Sequence, residues 1–432
     1  MKVTFIGGAA AIIENEGKRI LFDPWLDDRI FHGSWEHFPP LRFSANDLPP
    51  IDYLFISHIH EDHCALETLR LINKDCEVIL LDRKPNFVLD FLKRNQLGFK
   101  KIHLVPPHAP MKIANDLWVD LLHADPQHHL SYNVDSSIVL KWGDKIIYNA
   151  NDCGFFPALG DYLLTTYGQI DVAFLPYAAG SSFPPCYVNM TPEEKIHAKD
   201  RIFNAAMGDF INSVKTLNPK RVIPFADGYC IAGSRSHLNN QLSHPPGSGC
   251  LVDIMKREGL SEKLVLLNSN QSYDVDTETK SPDEAYISYT DKDRDDYIQT
   301  ITDLPKYIYD HEKVIYSSSV ATDRLLQHAR KRLWIQQESK NYFPNFRYYI
   351  FSNDPRRKFV IDLQKEGVLE VDADAKIAEP YLGLIVSNTL LIQLLIGHVS
   401  WNIADAALFI DYERVPNVYD PEIYTFINFI KI

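Results

Sequence analysis

The chain has 432 residues, of which 45% are hydrophobic and 23% charged, with a formal net charge of −13. That length fills a full core, as two domains or one domain with a large appendage, and the composition is ordinary globular. The acidic balance argues against a general nucleic-acid or anionic-membrane surface, so no nucleic-acid partner is expected.

Residues 2–6, 10–14 and 19–22 read as three short strands, with turns at Gly7 and Gly8 and at Glu16 and Gly17. No apolar signal-peptide run opens the sequence. The longest apolar stretch, 384–396, is interrupted by Ser387, Asn388, Thr389 and Gln393 and is too short and too polar to span a bilayer. Six cysteines (Cys64, Cys76, Cys153, Cys186, Cys230, Cys250) show no repeating spacing and no Cys-x-x-Cys. A disulfide framework is not expected, and a reducing, cytoplasmic setting without membrane insertion is.

A proline-rich loop, 36–51, leads to an apolar strand at 53–56. It ends in His58, His60, Asp62 and His63, four potential metal ligands within six residues. Residues 65–73 then carry helical spacing of apolar side chains. The four groups sit on a strand-to-helix loop, where function collects on a rigid scaffold. Imidazole and carboxylate donors suit zinc, iron or manganese.

Strand and helix patterns alternate onward: strand 77–81, helix 86–97, strands 101–105 and 117–122. His123, His128 and His129 follow the last of these. A hairpin is expected over 137–141 and 145–148, ending near Asn151, Asp152, Cys153 and Gly154. By itself that sequence is a tight turn. Residues 170–175 read as a buried strand. Thr191, Pro192 and Glu194 form a capping-box start for a helix reaching 216. A strand at 222–224 leads to Asp227, Tyr229, Arg235, His237 and His244. Beyond 285 the character changes, with a charged, tyrosine-rich stretch at 306–337, strands at 347–352, 358–362 and 367–371, and a helical stretch at 384–410. The expected division is a metal-bearing domain, 1–285, and a smaller α+β region, 286–432.

The His58, His60, Asp62, His63 pattern resembles the signature of the metallo-β-lactamase-fold superfamily. The resemblance implies an α/β four-layer αββα sandwich and two divalent metal ions, zinc first and iron or manganese next. His58 and His60 would serve one ion, and Asp62 and His63 the other. It places a third histidine on the loop after 117–122, with His128 preferred over His123 and His129. Asp152 becomes the bridge between ions, and His237 the last ligand, ahead of His244 and Asp227. Asp23 reads equally as a turn residue and as an acid that hydrogen-bonds a ligand histidine. Segments 146–153, 172–184, 224–229 and 395–405 resemble the metallo-β-lactamase-fold part of CMP-N-acetylneuraminate hydroxylase.

Two activities follow from this resemblance. The first is a metal-dependent hydrolase acting on a phosphorylated or nucleotide-linked, sugar-like small molecule. Asp62 or Asp152 would orient the water, and Ser181, Ser182, Tyr229 and Arg235 would contact substrate. The alternative is a non-haem iron oxygenase. The hydroxylase carries a Rieske iron–sulfur domain with two Cys and two His ligands. This sequence has no Cys-x-His pair, so an oxygenase would take electrons from a separate redox partner.

Overall fold

The computed structural model describes residues 1–26, 29–123, 135–178, 180–301, 322–353 and 355–432. Two sheets packed face to face organise the first part of the chain. Among the described residues one sheet has eight strands, in the order Thr279–Ser281, Gln271–Asp274, Lys2–Gly7, Ala10–Asn15, Lys18–Phe22, Tyr53–Phe55, Glu77–Leu81 and Lys101–Val105. The other has six, in the order Arg221–Phe225, Val172–Pro176, Lys145–Asn149, Ser136–Trp142, Leu117–His123 and Met111–Lys112.

Alternation along the strands sends one set of side chains between the sheets and the other outward. Val3, Phe22, Phe55, Ile79, Leu121, Ile138, Phe174 and Phe225 meet in the middle. There Phe22 packs edge-to-face on both Phe55 and Phe174, with ring centres 6.0 Å apart in each pair. Outside the larger sheet, Leu69 of helix Leu66–Leu71 and Leu92 of helix Phe87–Arg94 cover Leu54, Val78 and Leu80. Outside the smaller sheet, Leu163 of helix Pro157–Tyr167 and Phe210 and Val214 of helix Pro192–Leu217 cover Tyr148, Ala173 and Leu175. This is the αββα sandwich that the resemblance implies.

The helix Pro192–Leu217 begins as its sequence requires. Glu194 N–H donates to Thr191 Oγ1 (3.2 Å), and Thr191 N–H donates to the Glu194 carboxylate (2.7 Å). It ends at Asn218, left-handed at φ 43°. The helix Pro157–Tyr167 is absent from the sequence expectation, although it carries a proline at its start.

A third sheet of five strands runs Leu369–Val371, Arg356–Asp362, Arg347–Asn353, Tyr381–Val386 and Asp411–Val415. The stretch 384–410 is not continuously helical. It begins inside the strand Tyr381–Val386 and continues as two short helices, Asn388–Leu395 and Trp401–Ala406. Gly397, at φ 73°, separates the helices. The strand's sequence is almost wholly apolar, so it lacks the alternation that marks a strand by sequence. Leu382, Leu384 and Val386 on one face are nonetheless buried, and Tyr381 and Ile385 on the other only partly so. Gly383 lets the Tyr349 ring cross it, since a Cβ there would lie 2.5 Å from Tyr349 Cε1.

This third sheet shares a core with the earlier chain. Trp25, Phe31, Trp35, Tyr187 and Tyr229 pack in one cluster with Leu333, Ile350, Leu384, Leu395 and Trp401. Among the described residues no helix is long and apolar enough to cross a membrane.

Candidate metal centre

The parallel strands Lys18–Phe22 and Tyr53–Phe55 end side by side, Phe22 opposite Phe55. In the facing sheet, Lys145–Asn149 ends at the turn that holds Asp152. Loops leaving the carboxyl ends of these strands therefore converge, the usual place for a site in parallel sheets. His58, His63 and Asp152 come together there, each offering a ligand atom within 4.8 Å of the others.

Asp23 organises the base of the site. It is fully buried, at φ 35°, and its carboxylate accepts from Ser57 N–H (2.7 Å) and from the Ser57 hydroxyl (2.7 Å). His63 Nδ1 lies 3.0 Å from the same carboxylate. Of the two readings of Asp23, the structure places it behind a candidate ligand histidine. With Nδ1 engaged, His63 turns Nε2 toward Asp152 Oδ1 at 3.3 Å and Asp62 Oδ2 at 3.4 Å.

His58 is fixed in the same manner. Its Nδ1 is 2.9 Å from Ser57 Oγ. Because that hydroxyl gives its proton to Asp23, it can only accept from His58, which places the His58 proton on Nδ1. The bare Nε2 then faces His60 Nδ1 at 2.9 Å, Asp152 Oδ2 at 3.7 Å and Asp135 Oδ1 at 3.8 Å. One Asp152 oxygen thus turns to each of the two histidines.

The donor set suits divalent cations. Burial, together with the charges of His63 and His60, holds the His58 ring well below the ordinary imidazole range, so it presents a lone pair. Burial also opposes a charge on His63, but Asp152, Asp62 and Asp23 outweigh it and push that ring well above the ordinary range. Carboxylates that stabilise a proton on Nε2 stabilise a metal cation there for the same electrostatic reason. Asp62, despite the penalty of burial, is held below the usual carboxylate range by His63.

The other expected residues fall elsewhere. His128 and His129 lie outside the described residues. His123 ends its strand exposed, its ring 6.4 Å from that of His108, away from the cluster. His237 is exposed on the 3-10 turn Gly233–Gln241, Nδ1 facing Ser234 O at 3.2 Å. It points outward because Leu238 enters the core and Asn239 bonds Ile231 through both backbone N–H (2.8 Å) and C=O (2.7 Å). His244 is buried and held to the Tyr229 carbonyl at 3.0 Å. Asp227 lies in a cleft with Tyr177 and Gly8, and burial pushes its carboxyl up to about 7.

Among the expected substrate contacts, Arg235 is ion-paired with Asp411, so its charge is committed within the protein. Tyr229 is buried in a stack on Trp35 with ring centres 3.4 Å apart. Ser182 is buried beside Asp405, and Ser181 is exposed. Three nearby groups escaped the sequence reading: Asp135, Arg83 and Asn402. Asp135 carries one signal, an acid directly before the apolar strand Ser136–Trp142. Arg83, after the strand Glu77–Leu81, directs Nη1 at the Asp135 carbonyl (3.5 Å), and its charge reaches His58.

A model of the beta-lactamase superfamily domain matches residues 18–225. A Mycobacterium tuberculosis protein named for a Rieske 2Fe-2S iron–sulfur centre is 28% identical over 284 residues, covering 62% of this chain and 52% of its own length. A metal-dependent hydrolase of Caldivirga maquilingensis is 26% identical over 220 residues, 51% of this chain and 79% of that protein. Cytidine monophosphate-N-acetylneuraminic acid hydroxylase of Danio rerio is 26% identical over 239 residues, 52% of this chain and 38% of that one. The match spans about half the length of the mycobacterial relative.

Proposed function

Residues 18–225 belong to the beta-lactamase superfamily and build a metallo-β-lactamase fold, and from that premise we propose that the chain is a metal-dependent hydrolase. The observation that carries this reading is the convergence of His58, His63 and Asp152, with one carboxylate oxygen turned to each ring. His58, His60 and His128 would hold one ion and Asp62 and His63 the other, with Asp152 between them. In place of the exposed His237, Asp135 would be the further ligand, its carboxylate lying 3.8 Å from His58. Two bound divalent ions would supply Lewis acidity and bring the pKa of a bound water from 15.7 to about 7.

The chain's own residues do the rest. Asp62, held ionised by His63, is placed to accept a proton from the attacking water. Asp23 and Ser57 keep the His63 and His58 rings oriented while charge shifts in front of them. The substrate class is a phosphorylated or nucleotide-linked, sugar-like small molecule. The Danio rerio relative, by its name, acts on such a nucleotide sugar. Arg83, which directs Nη1 at the Asp135 carbonyl beside the site, would take the substrate-contacting role expected of Arg235 and meet an anionic group there. The six free cysteines fit a reducing, cytoplasmic setting.

A second reading is favoured by the names of two relatives, one for a Rieske centre and one for a hydroxylase. The same ligands would then hold iron, and a separate redox protein would deliver electrons. Protein purified without added metal distinguishes the two by metal content, optical spectrum and turnover of phosphoester and nucleotide-sugar substrates. Zinc or manganese, with hydrolysis abolished by chelator and restored by metal, is expected. Stoichiometric iron with oxygen-dependent absorption and no hydrolysis would overturn the hydrolase assignment in favour of the oxygenase.

A further inference from the structure

One contact reaches the metal loop from far along the chain. His60 Nε2 lies 3.1 Å from Asn402 Oδ1, across 342 positions of sequence. Asn402 sits in the short helix Trp401–Ala406, which is fixed on two sides. Trp401 is buried, and its indole N–H donates to Ile430 O (2.8 Å). From the first part of the chain, Trp35 Nε1–H donates to Ala406 O and Ser34 Oγ–H to Ala407 O, both at 2.8 Å. The helix is thus tied to the loop that precedes the metal strand.

We propose that Asn402 is the positioning residue of His60. Its amide oxygen accepts the Nε2 proton and so fixes the tautomer in which Nδ1 is the electron-pair donor. A neutral imidazole has one N–H, and the partner of one nitrogen decides what the other can do. On its opposite side His60 Nδ1 faces His58 Nε2 at 2.9 Å, and that nitrogen is already bare. With Asn402 in place, two lone pairs from residues two apart converge on one point, as a shared cation requires. The third sheet's region thereby completes the outer shell of a centre whose ligands come from the other two sheets. This inference rests on the metal reading given above.

The test compares the parent with Asn402→Leu, which is near in size but cannot accept, and Asn402→Asp, which can only accept. Zinc affinity is measured by competition with a chromophoric chelator. The His60 tautomer is read by nitrogen NMR of histidine-labelled, metal-stripped protein. Asn402→Leu should bind zinc at one site about 10–100-fold more weakly, the usual effect of losing such a partner, and should show mixed His60 tautomers. Asn402→Asp should keep both parental properties. Should Asn402→Leu not fold, Asn402→Ala carries the same expectation. Parental zinc affinity in the Leu variant, or equal weakening in Leu and Asp, would overturn the proposal. A parent that binds no zinc would defeat the metal reading alone. The tautomer would still decide this one, because Nε2–H alone in the parent and Asp variant with a mixture in Leu supports it, and the same tautomer in all three contradicts it.

Discussion

At the scale of single residues, the site depends on groups that never need to touch a metal. Asp23 accepts from the Ser57 backbone and hydroxyl and faces His63 Nδ1. Asp23→Asn keeps the shape but removes the charge and one acceptor, so His63 loses its preference for Nδ1–H. Metal affinity at the His63 position is expected to fall about 10–100-fold with the far-UV spectrum unchanged, as read by chelator competition. Parental affinity would return Asp23 to the role of a turn residue. The ligand loop was legible in sequence because His58, His60, Asp62 and His63 are nearly contiguous, four imidazole and carboxylate donors at the end of one apolar strand. Asp135 and Asn402 were not legible. One stands alone at a strand start, and the other acquires meaning only when 342 positions of chain fold back.

Individual elements decide which histidines face the centre. The strand Tyr229–Ile231 and the turn Gly233–Gln241 are locked by Asn239, which turns His237 outward and leaves His244 buried behind the strand. Burial holds the His244 ring at a pKa of about 3, against 6.5 as its ordinary value. A histidine depressed in the folded state binds fewer protons there than in the unfolded chain. Its contribution is therefore intact above pH 6.5 and is lost progressively as pH falls toward about 3. His244→Gln keeps an N–H for the Tyr229 carbonyl and removes the titration. Its melting temperature should fall less steeply than the parent's between pH 7.5 and pH 5, in thermal scans at about half-unit steps over the range where ordinary histidine titrates. Parallel slopes would show that His244 takes up its proton inside the fold. Sequence served well where an element carries its own start signal, as at Thr191 and Glu194. It failed for the strand Tyr381–Val386, whose almost wholly apolar sequence hides the alternation and runs on into the helix Asn388–Leu395.

For the whole molecule, the third sheet shares one apolar cluster with Trp25, Phe31, Trp35, Tyr187 and Tyr229 from the earlier chain, with Trp35 at the junction. Trp35 stacks on Tyr229 and donates to Ala406 O. Trp35→Ala should destabilise the protein by about 3–5 kcal/mol, the range for truncating a buried aromatic, and should weaken metal binding through the displaced Asn402 helix. Calorimetry and chelator competition on the same sample check both effects. Destabilisation with unchanged metal affinity would mean that the two regions share packing but not the site.

A two-metal centre bridged by Asp152 stands or falls on metal stoichiometry in the parent, Asp152→Asn and His58→Ala. An amide cannot act as an anionic bridge between two cations, whereas it would serve equally well in a tight turn. Two ions per chain are predicted in the parent, one in Asp152→Asn with turnover lost, and fewer than two in His58→Ala. Equal metal content and equal turnover in all three proteins would return Asp152 to a turn and rule out the bridged pair.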